Sequence, residues 1–315
     1  MSLEKVVAKK GKLLINVEYA AARTVFALLG LLPRRAAIGF CVALMRLLPT
    51  LLKNLRKTGM RNLEIAFPEK SVDERREILA GSLENLGRVL GELSQNHKYS
   101  KERFAEKVEF DMDDETRELY RRNREEGQGV VITTGHFGNW EMFVLGFAAA
   151  FQPISYLARP LDNPKIDAML NARRDRFGNR PINKAFSAMT AIKLVRDGGI
   201  LGILADVNTH PREGVFVPFF GVPACTSAGA ATIATRSRAV IYPAVCVYDR
   251  DKDKYRMIRG EIIVPENTGD REHDIRETTA RFTLEMEKFI RQYPEQWMWI
   301  HRRWKTRPPG EPSVY

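Results

Sequence analysis

A histidine and a glutamate at an offset of five, His136 and Glu141, fall in the run Gly135-His136-Phe137-Gly138-Asn139-Trp140-Glu141 and are the side chains best placed for proton transfer. An imidazole titrates near neutral pH, and a carboxylate bonded to one ring nitrogen fixes the tautomer and leaves the other nitrogen free to take a proton. In one regular helix the two side chains would stand roughly 140° apart, at about 100° per residue. Gly135 and Gly138 allow a turn instead, with Glu141 in the first turn of the following helix bending back toward the ring. The plain structural alternative is a histidine that fills a turn and a glutamate that stabilises a helix N-terminus.

The surrounding sequence has to position that pair. Gly129 to Thr134 is apolar and β-branched and predicts a buried strand, and Asn139 to Ala150 predicts a helix with an apolar face. His136 then lies on a strand-to-helix turn at the carboxyl end of a strand, where α/β sheets collect their ligand sites. Further strands are predicted at Pro153 to Ala158, Ile200 to Ala205, Ala239 to Tyr248 and Tyr255 to Val264, and helices near Asn163 to Phe177, Ser187 to Asp197, Ser227 to Arg236 and Ile275 to Gln292. This alternation argues an α/β fold with a mixed, mostly parallel sheet covered by helices, its last two strands antiparallel. Leu55 to about Ala105 reads as helical, with Ser71-Val72-Asp73-Glu74 in capping-box form. Three regions follow: apolar and basic helices over 1–54, a helical connection over 55–125 with charged stretches at Asp111 to Glu115 and Arg121 to Glu126, and an α/β catalytic domain over 126–315.

With 315 residues and 44% hydrophobic content, the chain can fill a sizeable core, and its net charge of +11 points to an anionic partner. Cys41, Cys225 and Cys246 are odd in number and far apart, so they indicate neither a disulfide framework nor a zinc site. The five histidines lack metal-ligand spacing, and no metal is expected. Glycine-rich dinucleotide and phosphate loops, a zinc-protease motif and a nucleophile elbow are all missing. Near the N-terminus, Thr24 to Pro33 and Ala36 to Met45 are uncharged apolar runs, each shorter than the roughly 18 to 20 residues of a spanning helix. Flanked by Lys5, Lys9, Lys10, Lys12, Arg23, Arg34, Arg35, Arg46, Lys53, Arg56 and Lys57, they suit helices lying in an anionic headgroup layer. A pair of core helices, or one tilted span near Phe26, are the alternatives.

Asp206 follows the strand ending at Ala205 and is expected on the same rim as His136. Arg159, Arg173, Arg174 and Arg176 are candidate donors to a developing oxyanion. Phe216, Phe219 and Phe220 lie in an apolar segment that reads as an acyl-chain wall or, equally, as a core strand. Trp297, Trp299 and Trp304, interleaved with His301, Arg302, Arg303, Lys305 and Arg307, suit a phosphate- and lipid-facing rim, with a structural tryptophan cluster packing the last helix as the alternative for at least one of the three. Such a mixture also suits nucleic-acid binding, against which the missing motifs and the apolar N-terminus count.

Five ordered motifs resemble the bacterial lipid A biosynthesis acyltransferases: Asn62-Leu63 with Ala66-Phe67-Pro68-Glu69; the His136 to Glu141 run; Arg159-Pro160 with Asn163-Pro164; Gly214 to Gly221; and Gln296-Trp297-Trp299 leading to His301-Arg302-Arg303-Trp304-Lys305. The resemblance implies a fold similar to the glycerolipid acyltransferases, with His136 and Glu141 as the family's His-x4-Asp/Glu pair. It points to Arg173, with Arg174 and Arg176 as other counterparts, and places Asp206 in the functional set. It implies acyl transfer from acyl carrier protein, with no cofactor, to a hydroxyl on an anionic lipid A precursor at the cytoplasmic face of the bacterial inner membrane. A relative acting on another glycolipid or an amino-acid lipid, or a non-catalytic membrane- or nucleic-acid-binding protein, are the competing expectations.

Overall fold

A computed structural model of the chain describes residues 11–315 apart from 112–113, 115–117, 119–120, 122–124 and 184–186. Lys5, Lys9, Lys10 and parts of the charged stretches 111–115 and 121–126 lie outside the described residues. Five helices come first: α1 (Lys12–Leu31), α2 (Arg34–Leu51), α3 (Lys53–Ala66), α4 (Val72–Gln95) and α5 (Lys101–Lys107). The α/β portion follows as β1 (Val108–Asp111), β2 (Val130–Thr134), α6 (Trp140–Ala150), β3 (Ile154–Ala158), α7 (Pro164–Arg174), β4 (Arg180–Asn183), α8 (Ser187–Arg196) and β5 (Ile200–Leu204). A hairpin of β6 (Gly214–Phe219) and β7 (Val222–Ser227) precedes α9 (Gly229–Ser237), β8 (Ile241–Asp249), β9 (Lys254–Arg259) and α10 (Arg271–Gln292).

Seven strands form one sheet in the order β1-β9-β8-β2-β5-β3-β4, in which every neighbouring pair is parallel except the antiparallel β8 and β9. All five residues of central β2 are buried, as a strand needs when helices cover both faces of its sheet. Local signals set the helix starts. Ser71 and Glu74 form a reciprocal capping box on α4, Asn139 caps α6 through Met142 N–H, and Asn163 caps α7 ahead of Pro164.

The expectation of two short N-terminal apolar runs is corrected by α1. That helix starts at Lys12, so residues ahead of Thr24 join the apolar run and make it long and apolar enough to cross a membrane by length and composition. Leu13, Val17, Val25, Leu28 and Leu31 are exposed along it. Helix α2 exposes Phe40, Leu44, Leu47 and Leu51 at spacings of four, three and four, one apolar stripe, and a 92° bend then leads into α3.

A buried charge cluster fastens the start of α2 to the body. The Arg34 guanidinium donates to Glu92 Oε1 (2.8 and 2.5 Å) and to both Asp253 oxygens (2.9 and 2.8 Å). Glu92 also accepts from Tyr99 (2.9 Å) and Tyr255 (3.3 Å). Burial lowers the affinity of Arg34 for its proton, yet the two carboxylates outweigh this and hold it above its usual range. Removing one partner of such a pair leaves the other charged and dry. We expect Glu92→Ala to cost about 3 kcal/mol of stability, measured by urea unfolding in detergent, and to cost more than Glu84→Ala at the exposed Arg46 pair.

Candidate functional site

Sheet register builds the centre of the site. Thr134 of β2 lies opposite Leu204 of β5, and continuing both strands by two residues sets His136 beside Asp206. The Asp206 carboxylate accepts three hydrogen bonds: from His136 N–H (2.8 Å, Oδ2), from the Trp297 indole (2.9 Å, Oδ2) and from His136 Nδ1 (3.0 Å, Oδ1). Asp206 is fully buried, whereas 24% of the His136 side chain is exposed. No bond from Nε2 to a described residue accompanies the Nδ1 contact.

The turn carrying the histidine tolerates little change. A Cβ on Gly135 would lie 2.9 Å from the Asp206 carboxyl, and one on Gly138, where φ is +55°, would lie 1.9 Å from Cys246 O. Gly138 N–H donates to Gln296 O (2.8 Å), Asn139 N–H to Cys246 O (2.7 Å) and Met298 N–H to His136 O (3.0 Å), while Asn85 Nδ2 donates to Gly138 O (2.8 Å). Helix α4, strand β8 and the segment after α10 therefore all hold this turn.

Electrostatics follow from that packing. Burial alone would depress the His136 pKa, but the Asp206 carboxylate, with Glu141 adding to it, holds it above the ordinary 6.5. Burial would likewise raise Asp206, and the imidazole opposite keeps it well below the usual carboxylate range. An ionised Asp206 can only accept, so Nδ1 carries a hydrogen, and in the neutral ring Nε2 presents the lone pair.

The expected pairing of Glu141 with the ring is corrected. Glu141 is buried in the first turn of α6 and takes a two-pronged bond from Arg174, with Nε to Oε2 at 2.8 Å and Nη2 to Oε1 at 2.5 Å. An adjacent strand end reaches Nδ1 without bending a helix back on itself, which is why Asp206 takes that place. Among the arginines, Arg174 rather than Arg173 joins the cluster. Arg173 instead donates to Leu93 O (3.2 Å) and stacks over Phe26 of α1 (4.9 Å), and Arg176 donates to Tyr99 O (2.7 Å). Arg159 is 77% exposed beside Asp162 and stands apart from the cluster.

The lipid-facing rim expected of the tryptophans is corrected to a structural cluster, and of the two readings of the Phe216 to Phe220 segment the core strand describes Phe219 and Phe220. Phe219 and Phe220 are buried and pack edge-on or tilted against Trp297, Trp304 and Trp299, with Phe216 only partly buried on β6. All three tryptophans are fully buried, so none offers a face to lipid or to a nucleic-acid base. Sequence reasoning missed the indole of Trp297 as a hydrogen-bond donor to Asp206. It also missed the His301 ring packed edge-on against that indole at 5.0 Å. An apolar cavity of about 60 Å³ lies instead along α6 and the start of β2, lined by Val130, Ile132, Phe143, Phe147, Tyr242 and Met257. The described residues contain no group of three or more side chains suited to a metal ion.

A family model described as "Bacterial lipid A biosynthesis acyltransferase" matches residues 8–306. The chain is 32% identical over 265 residues to the lipid A biosynthesis lauroyltransferase of Escherichia coli (strain K12), covering 84% of this chain and 83% of that relative. The palmitoleoyltransferase of the same organism is 28% identical over 267 residues (84% and 83%), and its myristoyltransferase 25% over 263 residues (84% and 79%).

The His136 imidazole is expected to titrate above 6.5 and to fall below that midpoint in Asp206→Asn, because the raised affinity for the proton comes from the carboxylate. Histidine ring carbon shifts followed against pH measure both midpoints. Gly138→Ala, forced to meet a carbonyl oxygen at a left-handed φ, is expected to cost at least about 2 kcal/mol of stability, read as a fall in the thermal midpoint.

Proposed function

The chain belongs to the bacterial lipid A biosynthesis acyltransferase family and is an acyltransferase. From that premise we propose that it moves a fatty acyl chain from acyl carrier protein to a hydroxyl of a lipid A precursor, with His136 as general base. The observation that carries this reading is the pairing of His136 Nδ1 with buried Asp206, which orients a partly exposed ring and leaves Nε2 without a bond to a described residue.

Chemistry at such a centre is ordinary acyl transfer. Nε2 takes the proton of the acceptor hydroxyl as its oxygen bonds to the thioester carbonyl, and negative charge gathers on the carbonyl oxygen. Collapse of this intermediate expels the thiolate, which takes the proton back from the imidazolium. Asp206 stabilises the imidazolium between these steps and so takes the orienting role first expected of Glu141. Glu141 fixes Arg174, whose side chain is 24% exposed and whose Nη1 lies outside the two-pronged bond, so we assign Arg174 Nη1 as the donor to the oxyanion.

We assign the far end of the donor's alkyl chain to the cavity along α6, whose volume of about 60 Å³ takes only a few methylenes. Helix α6 begins beside the catalytic turn, and Ile132 on the cavity wall precedes His136 by four residues, about 13 Å of extended strand. Exposed apolar residues on α1 and α2, together with Arg23, Arg46 and Lys53, suit attachment to the cytoplasmic face of the inner membrane.

His136→Ala is expected to lower the transfer rate from acyl carrier protein at least about 10³-fold without changing the circular dichroism spectrum, and retained activity would overturn the base assignment. Arg174→Ala is expected to lower kcat about 10² to 10³-fold with little change in acceptor KM. Phe147→Trp, which fills the cavity, is expected to shift preference toward shorter acyl donors in a competition assay read by mass spectrometry.

A further inference from the structure

Away from His136, the outer face of α3, the first turn of α4 and the C-terminal segment enclose an open cleft of about 590 Å³. That volume suits a ligand the size of a lipid headgroup. Its walls carry Lys57, Arg61, Arg75 and Arg302 against one carboxylate, Glu64, among the described lining residues. Most of this charge is held in place without being neutralised. Arg75 donates through Nε and Nη2 to Lys70 O (2.9 and 2.6 Å), and Arg302 lies over the Tyr315 ring at 5.7 Å. Arg61 donates through Nε to Val314 O (2.9 Å) while its Nη1 meets Glu64 (2.6 Å). Guanidinium groups fixed by neutral partners lose little entropy on meeting a phosphate and keep their full charge for it.

Two further features narrow the occupant. The cleft opens beyond the 92° bend at the end of the exposed α2 stripe, with exposed Leu51 and Leu52 leading directly into α3. Its inner wall is linked to the His136 site by a chain of contacts. Tyr315 donates to Asn62, Asn62 donates to His301 O (2.6 Å), and the His301 ring packs edge-on against Trp297, which holds Asp206. Resting on the acyltransferase reading above, we propose that this cleft binds the phosphate of an anionic lipid, and that the lipid is the acceptor, held there by its phosphate while its hydroxyl reaches His136.

Binding without turnover tests this separately from catalysis. Full-length protein in non-ionic detergent micelles is titrated with a phosphorylated lipid A precursor, with its phosphatase-treated form, and with phosphatidylglycerol. Wild type is expected to bind the phosphorylated precursor about tenfold more tightly than the treated form, and Arg75→Gln/Arg302→Gln to lose that difference. In turnover, the double variant should raise acceptor KM about tenfold and keep kcat within about twofold. Lys57→Gln, an exposed change that removes no packing, should show a smaller loss in the same direction and keeps the test readable if the arginine variant unfolds. Equal binding of the two precursor forms by wild type overturns the proposal. So does a variant whose KM rises for acyl carrier protein alone, which would give the cleft to an acidic protein. Weakened binding of phosphatidylglycerol with an unchanged acceptor KM overturns the acceptor assignment and gives the phosphate to bulk lipid. Phosphate-selective binding by a protein that transfers no acyl chain would uphold the cleft and reject the transferase reading.

Discussion

The Asp206 carboxylate is the constraint on which the rest of the structure depends. It is buried, negatively charged and satisfied by three donors, two from His136 and one from Trp297. A dry carboxylate is tolerable only when such partners surround it, so the sheet register, the glycine turn and the C-terminal tryptophan must all be in place together. Neighbouring groups reflect the same demand. Gly135 has no room for a side chain because the carboxyl occupies that space, and His301 is pulled below its ordinary pKa by burial against the same cluster.

This constraint also explains why residues distant in sequence share one core. Leu63, Leu79 and Leu83 pack with Phe137, Phe219, Val245, Phe289 and Trp297 in a single buried cluster. The helices ahead of the sheet thus buttress the His136 turn as well as connecting it to the N-terminus. Helix α1 has its own route to the site. Asn163 at the cap of α7 donates to Ile15 O and Glu18, Lys165 donates to Asn16, and Arg173 stacks on Phe26. Arg174, next along α7, holds Glu141. An apolar helix and the Glu141 carboxylate are therefore both fastened to one eleven-residue helix.

Much of the fold was legible because the signals were local. The apolar run of β2, the capping box of α4 and the antiparallel end of the sheet needed only short-range patterns. Strands β1 and β4, four residues each at the two edges of the sheet, carry too little alternation to be seen without their partners. At the site, His136 and the placement of Asp206 at a strand end could be read directly. The partner of the imidazole could not, because spacing along the chain favoured Glu141 while the register between two strands decided for Asp206. Burial of all three tryptophans was only partly legible. A tryptophan among arginines reads as surface until the arginine beside it, Arg303, is found buried and bonded to Cys225 O and Thr226.

The choice between Arg173 and Arg174 shows where a one-dimensional reading stops. Consecutive helix positions differ by about 100°, so two adjacent arginines on α7 must face different neighbours. One points to α4 and α1 and loses proton affinity through burial. For the other, burial acts in the same direction, but the two-pronged carboxylate of Glu141 outweighs it and the charge is secured. A guanidinium that must meet a transient negative charge has to remain ionised and already oriented when that charge appears. Glu141 supplies both conditions to Arg174 as Asp206 supplies orientation to His136, so each of the two proposed catalytic groups has its own buried carboxylate.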